Sequence, residues 1–385
     1  MGLRAVATVS LAVMVGSCGP GPEAPDATRG SEGALQALVT SVVAETEAVR
    51  SSALCVDAPR LGLWWEGAAG MADPDGGVEM SPAHPFRIAS TTKTFVAASV
   101  LRLVEDGRFG LDDPVAGLLS DEHVGALRDG GYRPERITVR HLLTHTSGLY
   151  DHTDGEAYGE AIVADPQHRW TRAEQVRAAM AGGEPWGEPG TVFHYSDTGY
   201  VLLGEIVERA TGRPLAAAVR ELVGLDRLGL ESTWWETEEP APVGAPARAH
   251  QFLGDLDTTA FDPSFDLYGG GGLVSTVGDL ARFGRALFAG RVFARPETLE
   301  TMLTTVDGVR VVPEGDPKQM PAGAYRMGVW SDEVEGLEAY RHTGFWGSSL
   351  TYVPELDLVV AATVNQNGAK EALEELAAGA TRLVL

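Results

Sequence analysis

Apolar residues recur along this chain with two periods, and the switches between them lay out an order of elements. Leu35, Leu38, Val39, Val42 and Val43 fall at three-and-four spacing within residues 34–50, which predicts a helix with one buried face. Ala53 to Val56 and Leu61 to Trp65 are short apolar runs bounded by polar and turn residues and read as strands. After an irregular stretch holding Pro82 and Pro85, Phe86 to Val104 (FRIASTTKTFVAASVLRLV) predicts a helix buried on most sides. From residue 111 to 269 the pattern breaks into helical pieces joined by long loops rich in Gly, Pro and Asp, and Thr171 to Glu174 is a capping box opening one of them. Gly269 to Gly272 forms a four-glycine turn, and 276–287 then returns to helical spacing through Leu280, Phe283 and Leu287. Strand patterns follow over 325–334, 338–341, 348–353 and 356–364, and a helix from Lys370 to about Leu383 ends the chain.

Helix, strands, helical insert, strands, helix is the order of an α/β (α+β) fold in which one antiparallel sheet is built from both chain ends. The sheet domain is expected over residues 34–110 and 270–385, with a mainly helical insert at 111–269. The segment before it has a different use. Arg4, the apolar run Ala5 to Val15 and the small residues ending at Cys18 read as an export signal, too short to span a bilayer. A cysteine directly after small residues resembles the bacterial lipobox. That resemblance implies cleavage of residues 1–17, lipid attachment at Cys18 and residence in the cell envelope, at the outer membrane if the host has one. Residues 18–33, rich in Gly and Pro, read as a tether.

Composition removes several functions. With 54 acidic and 30 basic side chains among 385 residues, the net charge of −24 argues against nucleic acid and anionic lipid surfaces as partners. Once Cys18 is assigned to lipid, Cys55 has no partner for an internal disulfide. His141 and His145 are four apart, but no glutamate completes a zinc motif between them, so neither metal nor cofactor is called for.

The candidate chemistry starts at Ser90 and Lys93, three residues apart on one face of the expected helix. A lysine deprived of water is easier to keep neutral, and a neutral amine can take the serine proton. Lysine is scarce here: Lys93 is one of only three, the other cations being arginines, which cannot release a proton near neutral pH. Tyr195 stands before a second apolar helix. Arg341-His342-Thr343-Gly344-Phe345 lies in the C-terminal strands, its glycine expected to allow close approach of a substrate. His194 is expected to pack beside Tyr195 rather than act as a base, and the chain has no Gly-x-Ser-x-Gly elbow.

Ser-x-x-Lys at Ser90, Tyr-Ser-Asp at Tyr195 and His-Thr-Gly at His342 resemble the three ordered motifs of the serine β-lactamase and penicillin-binding superfamily. The branch is that of class C β-lactamases, D-alanyl-D-alanine carboxypeptidases and related esterases. HLLTHTSGL at 141–149 and GGGLVST at 270–276 resemble it too. The resemblance implies a serine hydrolase acting on an amide or ester, with Ser90 as nucleophile and Lys93 and Tyr195 sharing the proton. The backbone N–H groups of Ser90 and Phe345 would form the oxyanion hole, with Asp197, His342, Thr343 and Gly344 at the substrate. The implied substrates are small molecules or peptides, with peptidoglycan stem peptides and β-lactams among the family's options.

Two positions depart from that pattern. Asp197 stands where many relatives carry asparagine, and it either faces Lys93, keeping it protonated, or caps the following helix. His342 stands where β-lactamases usually carry lysine, so a substrate carboxylate is held less firmly and peptidase or esterase chemistry gains over β-lactam hydrolysis. A lipid-anchored binding protein with little turnover is the alternative that Asp197 keeps open.

Overall fold

The computed structural model describes residues 26–313 and 324–385. The export segment, Cys18 and residues 18–25 lie outside the described residues. The frame is a seven-stranded antiparallel sheet. Its strands are β1 (Ser51–Ala58), β2 (Leu63–Asp73), β3 (Val78–Glu79), β4 (Trp330–Val334), β5 (Leu337–Gly344), β6 (Ser348–Val353) and β7 (Leu358–Thr363), ordered β4-β5-β6-β7-β1-β2-β3. The two chain ends meet where β1 pairs with β7, Ala53 opposite Thr363 and Val56 opposite Val360. Five helices position the site: α1 (Asp26–Glu45), α2 (Thr92–Glu105), α3 (Asp197–Thr211), α4 (Val277–Phe288) and α5 (Lys370–Val384).

Both faces of the sheet are covered, which explains why β1 and β7 are apolar without alternation. Leu54, Val56, Val360 and Ala362 pack on Leu35 and Val39 of α1 and Leu373 and Leu376 of α5. Ala53, Cys55, Val359 and Ala361 point the other way, into a core shared with Phe95 of α2 and Phe283 of α4. Those two rings stack with centroids 3.5 Å apart. Cys55 is buried there as a free thiol.

The insert carries the helices Asp121–Asp129, Val139–Leu143, Glu156–Ala164, Arg172–Gly182, α3 and Leu215–Val219. Arg172–Gly182 opens with the expected capping box, Thr171 and Glu174 each satisfying the other's backbone. Helix α2 is buried from Thr92 to Leu101. It shares a single core with Tyr200, Val201 and Ile206 of α3 and with α4, and so welds insert to sheet.

Three expectations change. Helix α1 begins at Asp26, so residues 26–33 are helical rather than tether. Once a packed helix exists, each further turn costs little. The strand expected from Tyr325 begins at Trp330, because Tyr325 is pulled into the interior and keeps only an isolated bridge to Trp330. The run from Phe86 is not one helix. Phe86–Arg87 is a short strand paired with Leu273–Ser275, Ala89–Thr91 is a 3-10 turn, and α2 starts at Thr92.

Candidate active site

Ser90 occupies the middle of that 3-10 turn, and the residue before it is strained. Ala89 has φ +44°, a left-handed conformation that L-residues other than glycine, asparagine and aspartate rarely adopt. It swings the chain out of the short strand and presents Ser90 at the wall of a cavity of about 810 Å³. With three residues per turn, Lys93 falls directly over Ser90. Its Nζ donates to Ser90 Oγ at 2.8 Å and to the Gly270 carbonyl at 2.6 Å, and pairs with Asp197 Oδ1. The Tyr195 hydroxyl hydrogen-bonds to both Ser90 and Lys93, which brings all three sequence-derived groups together.

Asp197 faces the lysine. The cap of α3 is Ser196, whose hydroxyl accepts from Gly199 N–H. Asp197 is the first helical residue, and its own N–H donates to Asp151 Oδ2 at 3.0 Å. Asp151 serves as a buried anion at the start of α3, also accepting from the Thr198 N–H and hydroxyl. Its carboxyl is held well below the usual range: burial pushes it up, but His152, the Asp197 N–H and the Thr153 hydroxyl outweigh burial.

Lys93 is fully buried, yet it is not the neutral amine expected from burial. Desolvation pushes it down, but Asp197, Tyr195 and Asp266 outweigh that and hold it well above the ordinary lysine range. Burial raises Asp197 despite its partner. Burial also lifts the Tyr195 phenol, to about 12. The resting state is therefore an ammonium, itself buried, with four acceptors around it: Ser90, Gly270, Asp197 and Tyr195.

The opposite wall is β5. Gly344 is needed for contact with the chain itself: a Cβ there would lie 2.2 Å from the Ile88 carbonyl. Ser348 Oγ donates to the same carbonyl at 2.8 Å. This close approach holds Phe345 beside the Ser90 turn, and the Asn367 amide donates to the Phe345 carbonyl at 2.9 Å. Thr343 is exposed and lines the cavity. His342 is 2% exposed and its hydrogen bonds are taken: Nδ1 donates to the Thr343 carbonyl at 2.8 Å, and Nε2 lies 3.2 Å from the Tyr325 hydroxyl. Burial, then Lys93, lowers it to about 3, so it is neutral across the working range. Arg341 is shared by Asp332 and Glu374.

The family model described as Beta-lactamase matches residues 36–382, nearly the whole described chain. The chain belongs to the beta-lactamase family. Esterase EstB of Burkholderia gladioli is 38% identical over 184 residues, 46% of this chain and 45% of that protein. The putative penicillin-binding protein PbpX of Bacillus subtilis is 26% identical over 236 residues, 61% of this chain and 54% of that one. The chain thus spans about half the length of these curated relatives. Solved structures match more completely. A D-stereospecific amidohydrolase from Streptomyces sp. superposes with TM-score 0.73 at 30% identity, covering 89% of this chain and 97% of that one. The D-amino acid amidase of Ochrobactrum anthropi SV3, complexed with L-phenylalanine amide, gives 0.74 at 26% identity, covering 92% and 99%.

Within this beta-lactamase-family site, sequence reading missed Asp151, Asp266 and His145. His145 is buried with φ +56°, and its Nδ1 accepts from Ser196 N–H at 3.0 Å. Its ring lies 4.2 Å from that of Tyr195, so it sets where the phenol sits. No group of three or more His, Cys, Asp or Glu side chains that could hold a metal occurs among the described residues. His194 faces Asp154 at 2.7 Å and the Val312 carbonyl at 2.8 Å, away from the serine, as its packing role required. Asp266 had one visible signal, a carboxylate three residues before a glycine run.

Proposed function

We propose that this beta-lactamase-family serine hydrolase cleaves esters and amides through a Ser90 acyl-enzyme, as an esterase or amidase rather than a carboxypeptidase. The observation that carries this is the neutral, fully engaged His342. A carboxypeptidase or β-lactamase must hold a carboxylate beside the scissile bond, and among the described residues the β5 wall offers no free cation for it. The names of the esterase and of the two amide-cleaving structural relatives support the same reading, and D-amino acid amides belong among the first substrates to try.

In the proposed reaction the substrate carbonyl oxygen sits between the N–H groups of Ser90 and Phe345, donors aimed at the charge that develops there. Ser90 Oγ bonds to the carbonyl carbon while its proton passes to Lys93. Lys93 can accept it only as it gives one up, and Asp197, whose carboxyl is already raised by burial, is the adjacent acceptor. Moving that proton turns a buried ion pair into a buried neutral pair, which costs less than in water because desolvation opposes both charges. As the bond to the alcohol or amine breaks, the proton returns through Lys93 and Tyr195 to the leaving group. Water then attacks the acyl-enzyme by the same route.

The test is to label the purified protein with a fluorophosphonate and with a fluorescent penicillin, map the adducts, and compare turnover of p-nitrophenyl esters, amino acid amides and an acyl-D-alanyl-D-alanine peptide. A fluorophosphonate adduct on Ser90 with ester or amide turnover is the expected result. Faster release of D-alanine from the free-carboxylate peptide would overturn the esterase or amidase assignment. A second reading, a binding protein with little turnover, is favoured by the protonated Lys93 alone. It would appear as stoichiometric acylation without steady release.

We also propose export and lipid attachment at Cys18, supported by the run from Arg4 to Cys18. Cys18→Ser should release the protein from membranes or stall its processing; unchanged membrane association would refute this.

A further inference from the structure

We propose that Asp266 is the receptor for a cationic group on the acyl half of the substrate, so that the site prefers acyl donors with a free ammonium next to the scissile carbonyl. This rests on the ester and amide reading above and names the class within it.

Asp266 ends a short 3-10 turn, Pro263–Asp266, just before the glycine run. Its carboxylate lies flat against Gly270 and Gly271. A Cβ on Gly271 would fall 2.0 Å from Asp266 Oδ2, and one on Gly270 would be 3.5 Å from both Asp266 Oδ1 and the Asp197 Cβ. The same Gly270 accepts from Lys93 through its carbonyl. The glycines therefore let a carboxylate stand near enough to the catalytic amine to act on its charge, and Asp266 and Ser90 both line the cavity.

The cations near Asp266 are already committed. Lys93 is paired with Asp197, and Arg87 with Glu236 at 2.6 Å. Asp266 is left without an ion-pair partner among the described residues, and because Lys93 and Asp197 cancel each other, its ionised form has no cation to offset it. Burial and the neighbouring Asp197 lift its carboxyl to about 7, a direction that an arriving cation would reverse. A substrate carboxylate would meet repulsion from the ionised Asp266, and an ammonium would meet its counterion in a half-buried wall.

Apolar surface continues beyond it. Phe265 packs edge-on against Trp346 with centroids 6.3 Å apart, Trp346 meets Phe345 at 4.8 Å, and Tyr158, Ile162 and Phe261 extend the lining. An acyl group with an ammonium at Asp266 can lay a large apolar side chain on these rings, and the aromatic faces also favour the cation.

The experiment compares kcat/KM for a matched pair, phenylalanine methyl ester in each configuration and 3-phenylpropanoic acid methyl ester, with wild type and Asp266→Asn. The ratio between substrates is the readout, so any effect of the substitution on Lys93 that both esters feel cancels. Wild type is expected to favour the amino ester by about 10²-fold, since a site built for a polar group discriminates strongly against the analogue lacking it. The ratio should fall at least tenfold in Asp266→Asn, chiefly through KM. An unchanged ratio would overturn the proposal. A second arm needs neither turnover nor a folded variant: calorimetric binding of 2-phenylethylammonium and of 2-phenylethanol to wild type. Tighter binding of the ammonium supports Asp266 as receptor, and equal binding refutes it. Failure to hydrolyse either ester, with no Ser90 adduct, would sink the hydrolase reading instead, and the calorimetric arm would still decide the role of Asp266.

Discussion

The two walls of the cavity treat charge in opposite ways. On one wall, Asp197 and Asp266 act on a single lysine with Asp151 behind them, and each is fixed by backbone: the start of α3 for Asp151 and Asp197, the glycine run for Asp266. On the β5 side, the histidine is neutral and the arginine is already shared by two carboxylates. The first wall gathers three carboxyl groups around one cation; the second holds a neutral histidine and a paired arginine. The contrast teaches that the groups able to move protons are concentrated on one wall, while the other contributes shape and backbone donors.

The largest effect should come from the point where both walls meet. Ser90→Ala removes the nucleophile and should lower kcat by on the order of 10⁴-fold or more, while the denaturation midpoint changes by no more than about 1 kcal/mol of stability. Retained fluorophosphonate labelling in that variant would place the reaction elsewhere.

Lys93→Arg tests whether the acidic wall needs a proton carrier or only a positive charge. Arginine keeps the pair with Asp197 but cannot give up a proton, so the loss should equal that of Lys93→Ala, about 10²–10⁴-fold in kcat/KM. Substantial activity in the arginine variant would leave Tyr195 as the only base and weaken the relay through Asp197.

Gly344→Ala probes the second wall by shape. Its Cβ would sit 2.2 Å from the Ile88 carbonyl, so β5 must move away from the nucleophile turn. A fall of about 10²-fold in kcat is expected from the displaced Phe345 donor, with about 1–3 kcal/mol of stability lost to overpacking. Wild-type turnover in this variant would mean that the Phe345 N–H is not part of the oxyanion hole.

Asp197→Asn should give the most pH-specific change, measured as kcat/KM against pH on a p-nitrophenyl ester: it removes the acceptor of the proton relay, so turnover near neutrality should fall, and what remains depends on neutral Lys93. Asp197 raises Lys93, so the wild-type amine becomes available only as pH rises, and activity should climb above neutrality. Removing the carboxylate lowers the lysine pKa and moves that rising limb to lower pH. Coincident profiles would separate Asp197 from the titration and leave Tyr195, raised to about 12, in control.

Much of this was legible in the residues. Two periods of apolar spacing determined a sheet drawn from both chain ends with a helical insert, because burial patterns are local and repeat. Ser90, Lys93, Tyr195 and the His342-Thr343-Gly344 run were readable because reactive side chains keep short, ordered spacings. The sequence also carried the ambiguity of Asp197, since aspartate serves equally at a helix cap and beside a cation; only the fold, by giving the cap to Ser196, turned it toward Lys93. The protonation of that lysine reversed for the same reason. Burial, which a sequence suggests, lowers a lysine, whereas the carboxylates that raise it arrive from residues 104 and 173 positions away in the chain. Asp266, and the contact of Gly344 with Ile88, were likewise decided in tertiary structure, because electrostatic and steric neighbours are set by distance through space and not along the backbone.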